Sequence, residues 1–112
     1  MGCLGRSDGM KPKILSLARD DLKEVRYRLS EFGNVPPTRF RDSFATFCDN
    51  IAKWPDMYPL YDLNPNYRRA VIIYDYLVFY QVEKDNGKNR AMVYRVLHGS
   101  RDVLPLLDKE YG

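Results

Sequence analysis

Apolar positions recur with two different periods along the chain, and the change of period divides it. From Asp20 onward, Leu22, Val25, Leu29 and Phe32 follow one another at three- and four-residue steps, the spacing of one helical face. Asp20 and Asp21 suit a first helical turn, where the peptide dipoles favour negative charge, and Gly33 suits a C-terminal cap. After Pro36 and Pro37, the residues Phe40, Phe44, Phe47, Ile51 and Trp54 make a second apolar stripe. Pro55 ends it, because proline lacks the N–H that a continuing helix requires. The short connection between the stripes predicts a helical hairpin. Ahead of them, residues 13–17 are short and apolar enough for an opening strand.

Residues 55–67, rich in Pro, Asn and Tyr, carry no sustained period and predict a loop. Beyond it the density of Val, Ile, Tyr and Phe predicts strands over residues 69–74 and 76–83, broken near Asp75, and over residues 90–97. Residues 84–88 join the last two strands. Asn86-Gly87 at their centre supplies the positive φ angles of a tight hairpin turn. Residues 102–107 predict a short helical tail, limited by Pro105. The element order is β-α-α-β-β-β: an α+β fold with an antiparallel sheet and a helical hairpin packed on one face.

The last strand raises a packing problem. Strict alternation places Met92, Tyr94, Val96 and His98 on one face and Val93, Arg95 and Leu97 on the other. Both sets are largely apolar, yet a helical hairpin covers only one sheet face. Either the C-terminal tail folds back over the second face or another polypeptide completes it. The amount of apolar surface points to a second polypeptide.

Length and charge narrow the class. The chain has 112 residues, enough for one core. Its 45% hydrophobic and 29% charged residues are ordinary for a globular domain. No apolar run nears the roughly 20 residues of a membrane span, and no signal-peptide pattern opens the chain. Cys3 and Cys48 have neither metal-ligand nor redox spacing, so a cytoplasmic setting with no metal and no cofactor is expected. Residues 1–9, with three glycines, read as a flexible extension ahead of a single domain over residues 10–112. The Met-Gly start does not continue as a myristoylation signal, because the sixth residue is Arg6.

The net charge of +3 is concentrated in the strand half. Arg68 to Arg101 holds seven Lys or Arg against three acids. Arg68 and Arg69 open one strand and Arg95 is expected within its neighbour, close enough in the sheet to form a basic patch. The one histidine, His98, sits at the end of the last strand before Gly99, Ser100, Arg101 and Asp102. A histidine there serves either chemistry near neutral pH or a local structural bond, for instance to Asp102.

The element order, the Arg68-Arg69 strand start, the strand Tyr76-Leu77-Val78-Phe79-Tyr80-Gln81-Val82 and the segment Arg95-Val96-Leu97-His98-Gly99-Ser100-Arg101-Asp102 together resemble the RelE/ParE superfamily. These are the toxins of type II toxin–antitoxin modules, also described as plasmid stabilisation proteins. The resemblance implies growth inhibition relieved by a cognate antitoxin laid over the sheet and helices. It implies operator DNA as a partner only through that antitoxin, and no membrane.

ParE-like members of the superfamily inhibit DNA gyrase by binding it, and RelE-like members cut mRNA on the ribosome. Under the second activity, Arg69, Arg95 and Arg101 would stabilise phosphorane charge and His98 would move protons. RelE-like nucleases commonly carry a Tyr or His soon after the arginine matching Arg101. Here that stretch is Val103-Leu104-Pro105-Leu106-Leu107, and Tyr111 alone follows late. The corner therefore resembles the ParE-like branch. Arg68, Arg69, Arg95, His98 and Arg101 are then expected to bind rather than to catalyse.

Overall fold

The computed structural model describes residues 11–32 and 36–107. In chain order the elements are β1 (Lys13–Ile14), α1 (Ser16–Phe32), α2 (Pro37–Lys53), β2 (Arg68–Ile72), a 3-10 turn (Ile73–Asp75), β3 (Tyr76–Asp85), β4 (Lys88–His98) and α3 (Val103–Leu107). The expected β-α-α-β-β-β order and α+β class hold. Strands β2, β3 and β4 form the antiparallel meander, but β1 pairs parallel to β4, so the sheet is mixed, in the order β1-β4-β3-β2. Gly33 and residues 1–10 and 108–112, with the expectations attached to them, lie outside the described residues.

Helix α1 begins four residues before Asp20, because the N–H of Arg19 already closes a turn on the carbonyl of Leu15 at 3.0 Å. Asp20 and Asp21 therefore lie beyond the first turn, and the dipole does not explain them. The buried stripe of α1 is Ala18, Asp21, Val25 and Leu29, with a carboxylate among the apolar residues and Leu22 on the flank. Helix α2 starts at Pro37, whose missing N–H costs nothing in a first turn, and stops at Lys53 before Pro55. Phe40, Phe47 and Ile51 are buried as the spacing predicts. Trp54, in a non-helical conformation at the C-cap, swings out and is 57% exposed.

The main core lies between the helices and one sheet face. It joins Val25, Phe40, Phe47 and Ile51 to Ala70, Val78, Tyr80, Val93 and Val96. Phe47 meets Tyr80 edge-on with ring centroids 5.6 Å apart, and the Tyr80 hydroxyl donates to the Pro55 carbonyl at 2.7 Å. The favourable edge-to-face geometry adds to area burial, and the polar end of Tyr80 is satisfied.

Val93 and Val96 share this face although strict alternation separates them. A β-bulge is responsible: Phe79 pairs with Arg95 and Tyr80 with Val93, which leaves Tyr94 as the extra residue on β4. The second face is not left for another chain to finish. Tyr61, Phe79, Leu97, Val103 and Leu107 form a second buried cluster, so the loop before β2 and the tail helix α3 cover it. Polar bonds fix this cover: the Tyr67 hydroxyl donates to the Leu107 carbonyl at 3.3 Å and Arg95 to the Leu106 carbonyl at 3.1 Å. The expectation that the sheet has more apolar surface than the chain can hide is corrected here, because α3 supplies the missing layer. Among the described residues no helix is long and apolar enough to cross a membrane.

Candidate functional site

The corner after β4 is built by two turns that meet. Tyr74 and Asp75 both hold a left-handed conformation, φ 62° each, and the Asp75 carbonyl accepts the Gly99 N–H at 2.9 Å. A Cβ on Gly99 would stand 3.2 Å from that carbonyl oxygen, so the approach of the two backbones favours glycine. The Arg101 N–H closes onto the His98 carbonyl at 3.0 Å, which turns the chain away from the sheet.

His98 pairs across the sheet with Tyr76, and the rings meet edge-on with centroids 5.0 Å apart. Its Nδ1 accepts the Ser100 N–H at 3.1 Å and lies 2.8 Å from the Ser100 hydroxyl. The local partner is thus Ser100 rather than Asp102. With Nδ1 filled as an acceptor, these contacts assign the proton of the neutral ring to Nε2.

His98, Ser100 and Arg101 line an open groove of about 400 Å³ with Asp21, Glu24 and Arg28 of α1 and with Tyr76. Arg28 and Glu24 pair at 3.1 Å, one helical turn apart. Burial pushes the Tyr76 phenol above its ordinary pKa of 10.0, with Arg28 pulling it back and Glu24 adding to the rise. Glu24, Arg28 and Tyr76 escape a sequence reading because they are brought to His98 by α1 and β3. The spacing of α1 carries only the weak signal that Glu24 and Arg28 share a face.

The other basic residues go elsewhere. Arg95 is buried in a two-pronged pair with Asp21, Nε to Oδ2 at 2.8 Å and Nη2 to Oδ1 at 2.9 Å. Asp21 also accepts the Val96 N–H at 2.9 Å. Arg68 donates to the Tyr58 carbonyl at 2.7 Å and the Asp56 carbonyl at 3.3 Å, clamping the loop before β2. Arg69 stands over the Tyr61 ring at 5.5 Å, on the face covered by α3 and opposite to His98. Arg69 and Arg95 both pair with Phe79, but from its two sides: β3 lies between their strands, so, contrary to expectation, they do not sit on neighbouring strands. Of the five residues singled out, the fold brings His98 and Arg101 to one groove and leaves Arg68, Arg69 and Arg95 outside it. No cluster of three metal-ligating side chains occurs among the described residues.

Comparison with known proteins places this geometry. Residues 13–103 match the family model for the ParE toxin of type II toxin–antitoxin systems. No curated protein matches the chain. Among solved structures, the YoeB/ParE toxin from Agrobacterium tumefaciens is similar, with a TM-score of 0.58 and 16% identity. That likeness covers 80% of this chain and 98% of the other. At that identity it shows the shared fold, while the family match spans most of the sequence. The chain belongs to the ParE toxin family of type II toxin–antitoxin systems, within the RelE/ParE superfamily, and that membership implies a cognate antitoxin as its partner.

Proposed function

We propose that this toxin acts in the cytoplasm by binding DNA gyrase and blocking it, without cutting nucleic acid. The observation that carries the reading is the Asp21–Arg95 pair. Hydrolysis of RNA without a metal needs a base, an acid and free cations around the developing phosphorane. Arg95 is spent on Asp21 and on the Leu106 carbonyl, and Arg69 lies on the opposite face. Among the described residues lining the groove, each candidate base is engaged or disfavoured. His98 holds its lone pair toward Ser100, Glu24 is paired with Arg28, and the Tyr76 phenol is harder to ionise than usual. Helix α3, where RelE-like nucleases carry a late Tyr or His, packs Val103 and Leu107 into the second core. What remains is a shaped surface with Arg101, the Arg28–Glu24 pair and the Nε2 donor of His98, suited to holding a partner.

Purified gyrase and relaxed plasmid test this directly. Supercoiling falls as toxin is added and returns on addition of the antitoxin; supercoiling that continues at excess toxin overturns the reading. The alternative, ribosome-dependent mRNA cleavage, draws on the shared groove of His98 and Arg101. It predicts new 5′ ends by primer extension after induction, lost in His98→Ala and Arg101→Ala.

A further inference from the structure

The charge balance of the groove beside His98 limits what it can hold. Asp21, Glu24 and Arg28, which line it, are already matched. Asp21 accepts both prongs of Arg95 and the Val96 N–H, so its charge is neutralised within the fold. Arg28 pairs with Glu24 at 3.1 Å. Arg101 is different: it is exposed and makes no ion pair among the described residues. Asp102 follows it in the chain but neither pairs with it nor lines the groove. Beside Arg101, His98 carries its proton on Nε2, because Nδ1 accepts the Ser100 N–H at 3.1 Å. With Arg95 set against Asp21 and Arg28 against Glu24, Arg101 is left as an uncompensated positive charge next to a neutral donor.

We propose that this groove receives a single carboxylate side chain of the protein the toxin inhibits, held by Arg101 and the His98 Nε2–H, and that Glu24 is its built-in competitor. That the carboxylate belongs to gyrase rests on the reading above; that the groove takes a carboxylate does not. The planar fork of an arginine matches a carboxylate, and a charge-assisted bond of this kind is stronger than a neutral one. A nucleic-acid strand fits the balance poorly. It brings a negative charge with every nucleotide, and each further phosphate would meet Glu24 with no unmatched cation to offset it. An acidic side chain brings one charge, and the apolar wall of Val25, Tyr76 and Leu97 can receive its methylenes. Glu24 and Arg28 are both exposed, and an exposed pair one helical turn apart is weak. The incoming carboxylate therefore competes with Glu24 for Arg28, and Glu24 repels it meanwhile. Two residues of one groove thus act with opposite sign: Arg101 raises affinity and Glu24 lowers it.

Two readouts separate the chemistry of the groove from the identity of the target. In the first, acetate is titrated into the isotope-labelled full chain and the side-chain NMR signals of Arg101 and His98 are followed, with acetamide and dimethyl phosphate as comparators. Acetate is expected to shift both signals saturably and acetamide to shift neither. Arg101→Gln removes the acetate response of His98, and Glu24→Gln tightens acetate binding about threefold. In the second, the toxin concentration that half-inhibits gyrase supercoiling is measured. It is expected to rise about tenfold or more for Arg101→Gln, further for Arg101→Glu, and to fall about threefold for Glu24→Gln. Arg101→Lys, which keeps the charge but not the fork, falls between the parent and Arg101→Gln. Both positions are exposed, so unfolding midpoints are retained. Dimethyl phosphate bound more tightly than acetate, or no saturable shift with acetate, overturns the proposal. So does Arg101→Glu that inhibits gyrase as the parent does, or Glu24→Gln that weakens inhibition. Acetate seated in the groove of a chain that leaves gyrase untouched upholds the carboxylate site and overturns the gyrase reading instead.

Discussion

Asp21 accepts three hydrogen bonds on one carboxylate: two from Arg95, one to each oxygen, and one from the buried Val96 N–H, beyond the stretch of β4 that β1 pairs. Both side chains of the pair are about nine-tenths buried. Removing one partner leaves an uncompensated buried charge, so Asp21→Ala is expected to cost about 3–5 kcal/mol, read by urea unfolding. Cys48 and Tyr80 make an alkaline prediction. Burial, reinforced by Asp49, pushes the Cys48 thiol from 9.0 up to about 12, and burial pushes the Tyr80 phenol from 10.0 to about 12. Both groups ionise more easily in the unfolded chain. Their contribution is therefore complete below about pH 9 and is lost as pH rises toward 12. Unfolding midpoints measured from pH 8 to 11 should fall, and fall less steeply in a Cys48→Ala/Tyr80→Phe variant. At pH 8 native Cys48 should resist alkylation, because the thiolate is the reactive form.

At the scale of elements, the two hairpins of the meander differ in turn chemistry. The β3–β4 turn uses Asn86 and Gly87, at φ 55° and 81°, residues suited to the left-handed region. The β2–β3 turn imposes the same region on Tyr74 and Asp75, and Tyr is poorly suited to it. The buried Tyr74 hydroxyl has no hydrogen-bond partner among the described residues. Strain of this kind persists only where surrounding structure holds it, and here the Asp75 carbonyl holds Gly99 and thereby the His98 corner. Asp75→Gly is expected to stabilise the fold by about 0.5–1 kcal/mol in urea unfolding. Tyr74→Phe, by removing the orphan hydroxyl, should leave stability unchanged or raise it. Helix α3 is short and its worth lies in Val103 and Leu107, not in helix propensity. Leu107→Ala should cost about 2–4 kcal/mol and open the second core to a hydrophobic dye such as ANS.

At the scale of the whole molecule, the family and the element order were legible because they rest on local signals. The spacing of Phe40, Phe47 and Ile51, the prolines around α2 and the Asn86-Gly87 turn each act within a few residues, where sequence and conformation are tied most directly. The interior ion pair was not legible: Asp21 and Arg95 are 74 residues apart, and Asp21 reads as an ordinary acid near a helix start. The bulge at Tyr94 was hidden too, since a run of β-formers shows strand period but not where one residue is left unpaired. It shifts Val93 onto the face of Val96 and so overturns the face assignment made by alternation. The basic patch suggested by Arg68, Arg69, Arg95 and Arg101 divides for the same reason. A guanidinium declares its charge in the sequence, but what neutralises that charge depends on the carboxylates and carbonyls that folding brings beside it. The sequence alone determined the secondary elements, their order and the family, because these follow from short-range periodicity and turn chemistry. The tertiary structure decided which arginines remain free, what covers the second sheet face and which side chains join His98, because those are contacts between parts of the chain far apart in sequence.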